Sequence, residues 1–513
     1  MRQWLYAFEK IPLLNRVVIR TNMAQESNNA IAEMLRKHAG KIYQMLAQML
    51  VSISEEAFEL GVSLAIMIMV ERIYGQQGLG IYAYLTACLY TVRTAANFGV
   101  ARHTERQTAQ LPQSGQQQRM IGHSAQAMVI TGLAGAAALL ATAGFDTSHT
   151  RVQERLAAYV IIALILPLAN LNSLKLAILH GRGLHQRVAQ IRMLRHGIIL
   201  GGTFLCCGIG VAPSYLLIAV LIADGVTAAN LRRHLRLPPL KDTFRQMRKV
   251  FVTLRQGRAY LFTDNALDLL LNIDLFVLGL FVDAWNLGVY AEAAVLVRFF
   301  LIIPAGIRPI LRRQYILATG SRDQATLRAL LQRHAAILFI LHASAALIVV
   351  LNFPAVLDLF FQTRGETRQA FTIFLVFLPG LIFFGPLTAQ EPVYEAAKRV
   401  QGLRRLTLGV SAVNLVLTFY LVPAAGIMGA ATATMLTMLI YFHQFGRNLS
   451  ITPWADRFTY LVAGLGLYLI YTLLSWLSWS SAVTIWLGPV MAGLLFYACG
   501  VFEPASPPAR NRA

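Results

Sequence analysis

Fourteen stretches of about twenty predominantly apolar residues divide this 513-residue chain, and most of its lysines and arginines fall between them. The stretches lie near 45–70, 79–100, 121–144, 156–179, 188–209, 211–231, 259–281, 286–307, 331–351, 369–390, 403–423, 426–446, 458–478 and 481–501. As helices rising about 1.5 Å per residue, they match the thickness of a bilayer's hydrocarbon core. Only 13% of the residues are charged, against about 25% in soluble domains, so a soluble globular fold is excluded. The expected fold is all-α: a polytopic membrane protein of about fourteen transmembrane helices, arranged as two pseudo-symmetric six-helix halves plus two C-terminal helices.

The basic residues also orient the chain. Connections on one side carry Arg102, Arg106 and Arg119; Arg182 and Arg187; Arg308, Arg312, Arg313, Arg322 and Arg328; and Lys398, Arg399, Arg404 and Arg405. Those on the other side are nearly bare. The positive-inside rule makes the basic side, and both termini, cytoplasmic. Residues 1–44 read as a cytoplasmic segment, with Met1 and Met23 both open as starts, and 502–513 as a cytoplasmic tail. Connection 232–258 separates the halves 45–231 and 259–446, and 447–501 holds the two additional helices. That connection mixes nine basic residues with Phe244, Met247, Val250, Phe251 and Leu254, and reads either as an interfacial amphipathic helix or as a plain basic linker. The net charge of +21 is thus explained by topology, and no nucleic-acid partner is expected. Cys88, Cys206, Cys207 and Cys499 lie in apolar runs and imply no disulfide framework.

The halves repeat each other. "GLGIYA" at 78–83 returns as "NLGVYA" at 286–291, and "EEAFE" at 55–59 returns as "DNALD" at 264–268. The tyrosine motif gives an offset of 208 residues and the acidic motif 209. On a helix at 100° per residue, Asp264, Asn265, Asp268, Asn272 and Asp274 share roughly half the circumference, with Asp274 at its edge. Intramembrane carboxylates usually face a bundle interior or a wet cavity. Alternatively, they satisfy neighbouring backbone or pair with an arginine. Cations lie inside spans too: Arg93 and Arg298 in the equivalent second and eighth helices, Lys175 in the fourth, and Arg192 and Arg195 in the fifth. The last three are placed to snorkel to an interface; Arg93 and Arg298 have more apolar sequence on both sides. No catalytic or metal-ligating constellation is evident, and no cofactor is expected. The longest outer connection is short for a membrane enzyme such as a saccharide polymerase or ligase.

Three segments carry a resemblance. They are "NIDLFVLGLFVDAWNLGVYAEAAVLVRFFLIIPAGIRPIL" at 272–311, "VNLVLTFYLVPAAGIMGAATATMLTMLI" at 413–440 and "VERIYGQQGLGIYAYLTACLYTVRTAANFGVARHTERQTA" at 70–109. Together they resemble the polysaccharide flippases of the multidrug/oligosaccharidyl-lipid/polysaccharide exporter superfamily. Gly288, Tyr290 and Ala293 match that family's opening of the eighth helix, and Asn414, Pro423, Gly426, Gly429, Ala430, Ala431 and Thr432 its eleventh-to-twelfth helix pattern. The acidic first helix departs from the family pattern. The resemblance implies a non-enzymatic carrier in a bacterial inner membrane. It would move a polyprenyl-(di)phosphate-linked saccharide outward by alternating access between the halves, alongside membrane lipids and glycan polymerases or glycosyltransferases. On that reading Arg93, Arg298 and Lys175 bind substrate phosphates, and Glu55, Glu56, Glu59, Asp264, Asp268 and Asp274 bind a coupling H⁺ or Na⁺. The alternative is a cation-coupled multidrug antiporter of the same fold, whose cavity should lack central arginines.

Overall fold

The structure is a computed structural model that describes residues 29–110, 115–142, 152–235, 247–261, 266–300, 324–360, 367–396 and 400–449, with isolated positions between. The chain divides into two compact units, Met1–Ser52 and Ile53–Ala513; within the first, the described part is helical from Asn29. Every regular element among the described residues is helical. In chain order these are α1 (Asn29–Asn97), α2 (Val100–Gln110), α3 (Gly115–Thr142), α4 (Val152–Gly181), α5 (His185–Gly208) and α6 (Ile218–His234). Then come α7 (Met247–Gly257), α8 (Ala266–Leu278), α9 (Ala284–Phe299), α10 (Gln324–Phe360), α11 (Thr367–Ala396) and α12 (Val400–Leu449). Among the described residues, six helical segments are long and apolar enough to cross a membrane: Gly115–Thr142, Glu154–Gly181, Pro213–His234, Ala325–Val350, Gln369–Tyr394 and Gln401–Gln444. The protein is a multi-pass membrane protein. The two spans expected near 458–478 and 481–501 lie outside the described residues.

Two of the helices are too long for one crossing, and glycine breaks both. In α12, Gly426 takes φ 56° and ψ −134°, a left-handed conformation that a side chain would oppose. The chain folds back there. Asn414 Nδ2 donates to Thr434 Oγ1 at 3.0 Å, whereas in a straight helix twenty residues span about 30 Å. Gly75 breaks α1 in the same way, with φ 69°. The first pass of α1 runs beside α5 in one constant register. Glu55 meets Arg192, Glu59 meets His196, and the Tyr74 hydroxyl donates to the Val211 carbonyl at 2.5 Å. Each pair is 137 residues apart, and a constant difference means parallel neighbours.

Within the first half α3 packs on α4, and α6 packs on both α4 and α5; in the second, α11 packs against α9, α10 and α12, and α8 against α12. Lipid gives no hydrophobic drive for such packing, so small residues that admit close backbone approach matter more. The contact between the two repeat motifs shows it. A Cβ at Gly80 would overlap the Ala284 carbonyl, and a Cβ at Gly288 would overlap the Gln76 carbonyl. Gln76 and Ala284 are 208 residues apart, as are Gly80 and Gly288. The contact is therefore self-complementary, and it follows the tyrosine-motif offset rather than the acidic one. The Asp283 side chain caps α9 here, accepting from Asn286 N at 2.8 Å. Gly80→Leu or Gly288→Leu is expected to force this crossing apart at a cost of about 1–3 kcal/mol. Disulfide trapping between cysteines placed at 76 and 284 should then fall well below that in the otherwise unaltered protein. Undiminished trapping would show that the crossing tolerates side chains.

Candidate functional site

Two polar clusters interrupt the apolar core, one in each half. In the first half, Arg195 on α5 is 8% exposed and Asp224 on α6 is 1% exposed. Arg195 grips the carboxylate with two bonds, Nε to Oδ1 at 2.6 Å and Nη2 to Oδ2 at 3.3 Å. Asn172 on α4 donates to the Asp224 carbonyl at 2.8 Å. Arg195 was expected to snorkel; the Asp224 carboxylate gives it a partner inside the bundle, so it turns inward. One helical face further out, Arg192 Nη1 donates to Glu55 Oε1 at 2.8 Å, and His196 Nε2 lies 3.3 Å from Glu59 Oε2. The i, i+4 acids of α1 thus meet a basic i, i+4 pair on α5. Glu56 lies within electrostatic range of Arg192.

Arg93, on the second pass of α1, is held differently. Its Nη2 donates to Ser173 Oγ on α4 at 3.0 Å, with Arg195, Asp224 and Glu59 within electrostatic range. Lys175 is buried, but two residues along α4 it points about 200° away from Ser173. The charged neighbour it feels is Arg232.

In the second half, Arg298 on α9 is half-buried, and its Nη2 donates to Asn272 Oδ1 at 2.9 Å. Its Nε has no hydrogen-bond partner among the described residues. Arg298 and Arg93 therefore share a design that the other two arginines lack. Arg192 and Arg195 are neutralised by carboxylates; among the described residues Arg93 and Arg298 are oriented only by neutral side chains. Glu55 bridges Arg192 on α5 rather than Arg93.

Asp274, at the edge of the expected polar arc, is fully enclosed, at 0% exposure. It accepts from the Tyr290 hydroxyl on α9 at 2.8 Å and lies 3.3 Å from Thr418 Oγ1 on α12. Thr434, on the returning limb of α12, also donates to it. Asn414 completes the group, its Nδ2 on Thr434 and its Oδ1 without a partner among the described residues. One carboxylate, three hydroxyls and one amide oxygen make a nest of hard oxygens, with no cationic side chain bonded to it among the described residues. Asp268 lies on α8, with its side chain outside the described residues, and Asp264 lies outside them altogether.

No family model matches the sequence, and no curated protein does. Solved structures do match the fold. The lipid II flippase MurJ in an inward closed conformation aligns with a TM-score of 0.69 at 14% identity, over 89% of this chain and 99% of that one. The likeness is one of fold. A multidrug resistance MATE family transporter in an inward-facing conformation aligns at 0.63 and 15% identity, over 78% of this chain and 98% of that one. A MOP superfamily transporter from Pyrococcus furiosus, described as having a binding pocket of reverse polarity, aligns at 0.56 and 14% identity, over 79% of this chain and 95% of that one. The first two of these neighbours are a lipid flippase and a multidrug transporter, and this chain shares their fold.

Sequence reasoning missed Asp224, Ser173 and His196. Asp224 did carry a signal, as the one acid in the apolar run 211–231. Ser173 and His196 carried none, because each matters only through a partner on another helix.

Proposed function

We propose that this protein is an inner-membrane flippase, with both termini and the 232–258 connection cytoplasmic. It carries a polyprenyl-(di)phosphate-linked saccharide to the outer leaflet by alternating access, coupled to H⁺ or Na⁺. The observation that carries this reading is the pair of intramembrane arginines held by neutral partners, Arg93 on Ser173 and Arg298 on Asn272. A guanidinium bonded to no carboxylate among the described residues attracts an anionic group, and its planar fork suits phosphate. A carrier of cationic drugs would gain nothing from it. The sugar–phosphate head cannot cross hydrocarbon unaided; a cavity between halves lets it pass while the polyprenyl tail stays in lipid.

The Asp274 group supports the coupling half of the proposal. A fully buried carboxylate is stable there when it takes up a proton and becomes neutral, or when a cation compensates its charge. Thr418, Thr434 and Asn414 belong to the two limbs of α12 and Asp274 to α8, so an ion held there ties three helical segments together. Release frees them to move, which biases the inward–outward equilibrium. Asp274→Asn is expected to leave membrane expression intact and reduce transport in sealed vesicles to the rate seen without an ion gradient. Gradient-driven transport at the wild-type rate would remove Asp274 from the coupling role. The carrier reading itself is tested in a strain whose surface glycan depends on this protein: depletion should accumulate the lipid-linked saccharide in the inner leaflet. Normal glycan export on depletion would overturn it.

A further inference from the structure

Away from both clusters, a cavity of about 600 Å³ opens between the end of α7 and the start of α12. Its lining is Val252, Arg255, Gln256, Arg258, Gln401, Arg404 and Arg405. Four guanidiniums, from α7, the turn that follows it and α12, therefore converge on one space, with no carboxylate on its wall among the described residues. The elements are joined: Arg404 Nη1 donates to the Arg258 carbonyl at 3.4 Å. Four like charges brought this close repel one another, and an anion seated among them relieves the repulsion. Arg255, Arg258 and Arg405 are exposed and Arg404 is half-buried, so the site is open to a ligand.

The setting of α7 indicates where that anion comes from. Val250, Thr253 and Gly257 are buried and form the side of the helix that packs on α2 and α3. Met247 and Phe251 share the next strip, 42% and 65% exposed. Arg248 and Arg255 follow on the strip beyond. A helix that orders its faces as protein, exposed apolar and basic lies flat at a bilayer surface, its Phe in the acyl boundary and its arginines at headgroup depth. We propose that the four-arginine cavity binds the phosphate of an anionic lipid headgroup from the leaflet against which α7 lies. Charge complementarity selects the phosphate, and Met247 and Phe251 place the cavity mouth at the depth where lipid phosphates reside. The site stands on its own residues, whatever the central cavity transports.

The test uses the full-length protein in detergent, titrated with short-chain phosphatidylglycerol and, separately, with phosphatidylcholine, and read by native mass spectrometry. The expected result is retained phosphatidylglycerol and little phosphatidylcholine. Arg255→Gln/Arg405→Gln should lower phosphatidylglycerol affinity by about tenfold or more, since each charge-assisted bond contributes about 1.5–3 kcal/mol. Both side chains are exposed, so folding is not at stake. Arg328→Gln on α10 removes a charge elsewhere and should leave binding unchanged. Equal binding by the double variant and the wild type would overturn the proposal. Displacement of the lipid by equimolar inorganic pyrophosphate would also overturn it, in favour of a soluble anion.

Discussion

Asp224→Ala is expected to destabilise the protein by about 3–5 kcal/mol and to remove most of it from the membrane fraction. The reason is the state in which it leaves Arg195. That guanidinium is 8% exposed and makes two bonds to Asp224, at 2.6 and 3.3 Å, and no other ion pair among the described residues. Truncating the carboxylate strands a charge inside the bundle, and the cost is its desolvation rather than the loss of a modest attraction. The double replacement Arg195→Met/Asp224→Leu should recover most of the stability, because a buried pair exchanged for apolar side chains of similar volume is often neutral. Thermal unfolding of the purified protein and its level in membranes measure both. If Asp224→Ala is as stable as wild type, the pair is not structural. A stable but transport-dead double variant would assign it to the transport cycle.

Arg298→Ala and Arg93→Ala are expected to act in the opposite way, sparing the fold and weakening substrate binding by about one to two orders of magnitude each. That range follows from about 1.5–3 kcal/mol per charge-assisted bond. Neither arginine is paired with a described carboxylate, so its removal strands no described charge; only Ser173 and Asn272 lose a neutral partner. Arg→Lys should rescue in part, since an ammonium keeps the charge and loses the bidentate fork. Surface glycan in a dependent strain, at matched protein level, reads the outcome. Normal glycan from both alanine variants would rule out the role. Failure that is restored by neutralising Asp268, whose side chain lies outside the described residues, would assign Arg298 to an ion pair instead.

The spans and the repeat could be read from sequence because both are local properties of composition and offset. The glycine crossing confirms the offset of 208 through Gln76, Gly80, Ala284 and Gly288. What sequence could not provide is which helices are neighbours. Acids at 55 and 59 and bases at 192 and 196 have matching spacing, yet become a ladder only once α1 and α5 are known to run parallel. Arg195 turned inward for the same reason: its partner lies 29 residues on, on α6. Asp274 was judged by the helix it sits on, and by that measure was marginal. Its importance comes from Asn414, Thr418 and Thr434, more than 130 residues away on a hairpin whose reversal at Gly426 brings both limbs to it.

The crossing of the two repeat motifs has a consequence for how this molecule opens. Each half offers the other the same glycine and the same carbonyl, so the contact is one latch made twice about a pseudo-twofold axis. Any motion of one half against the other that preserves that axis draws Gly80 from Ala284 and Gly288 from Gln76 by equal amounts. The latch has no half-released state in which one carbonyl is free and the other engaged. The two contacts therefore report a single coordinate: under such a motion the separation at one glycine fixes the separation at the other.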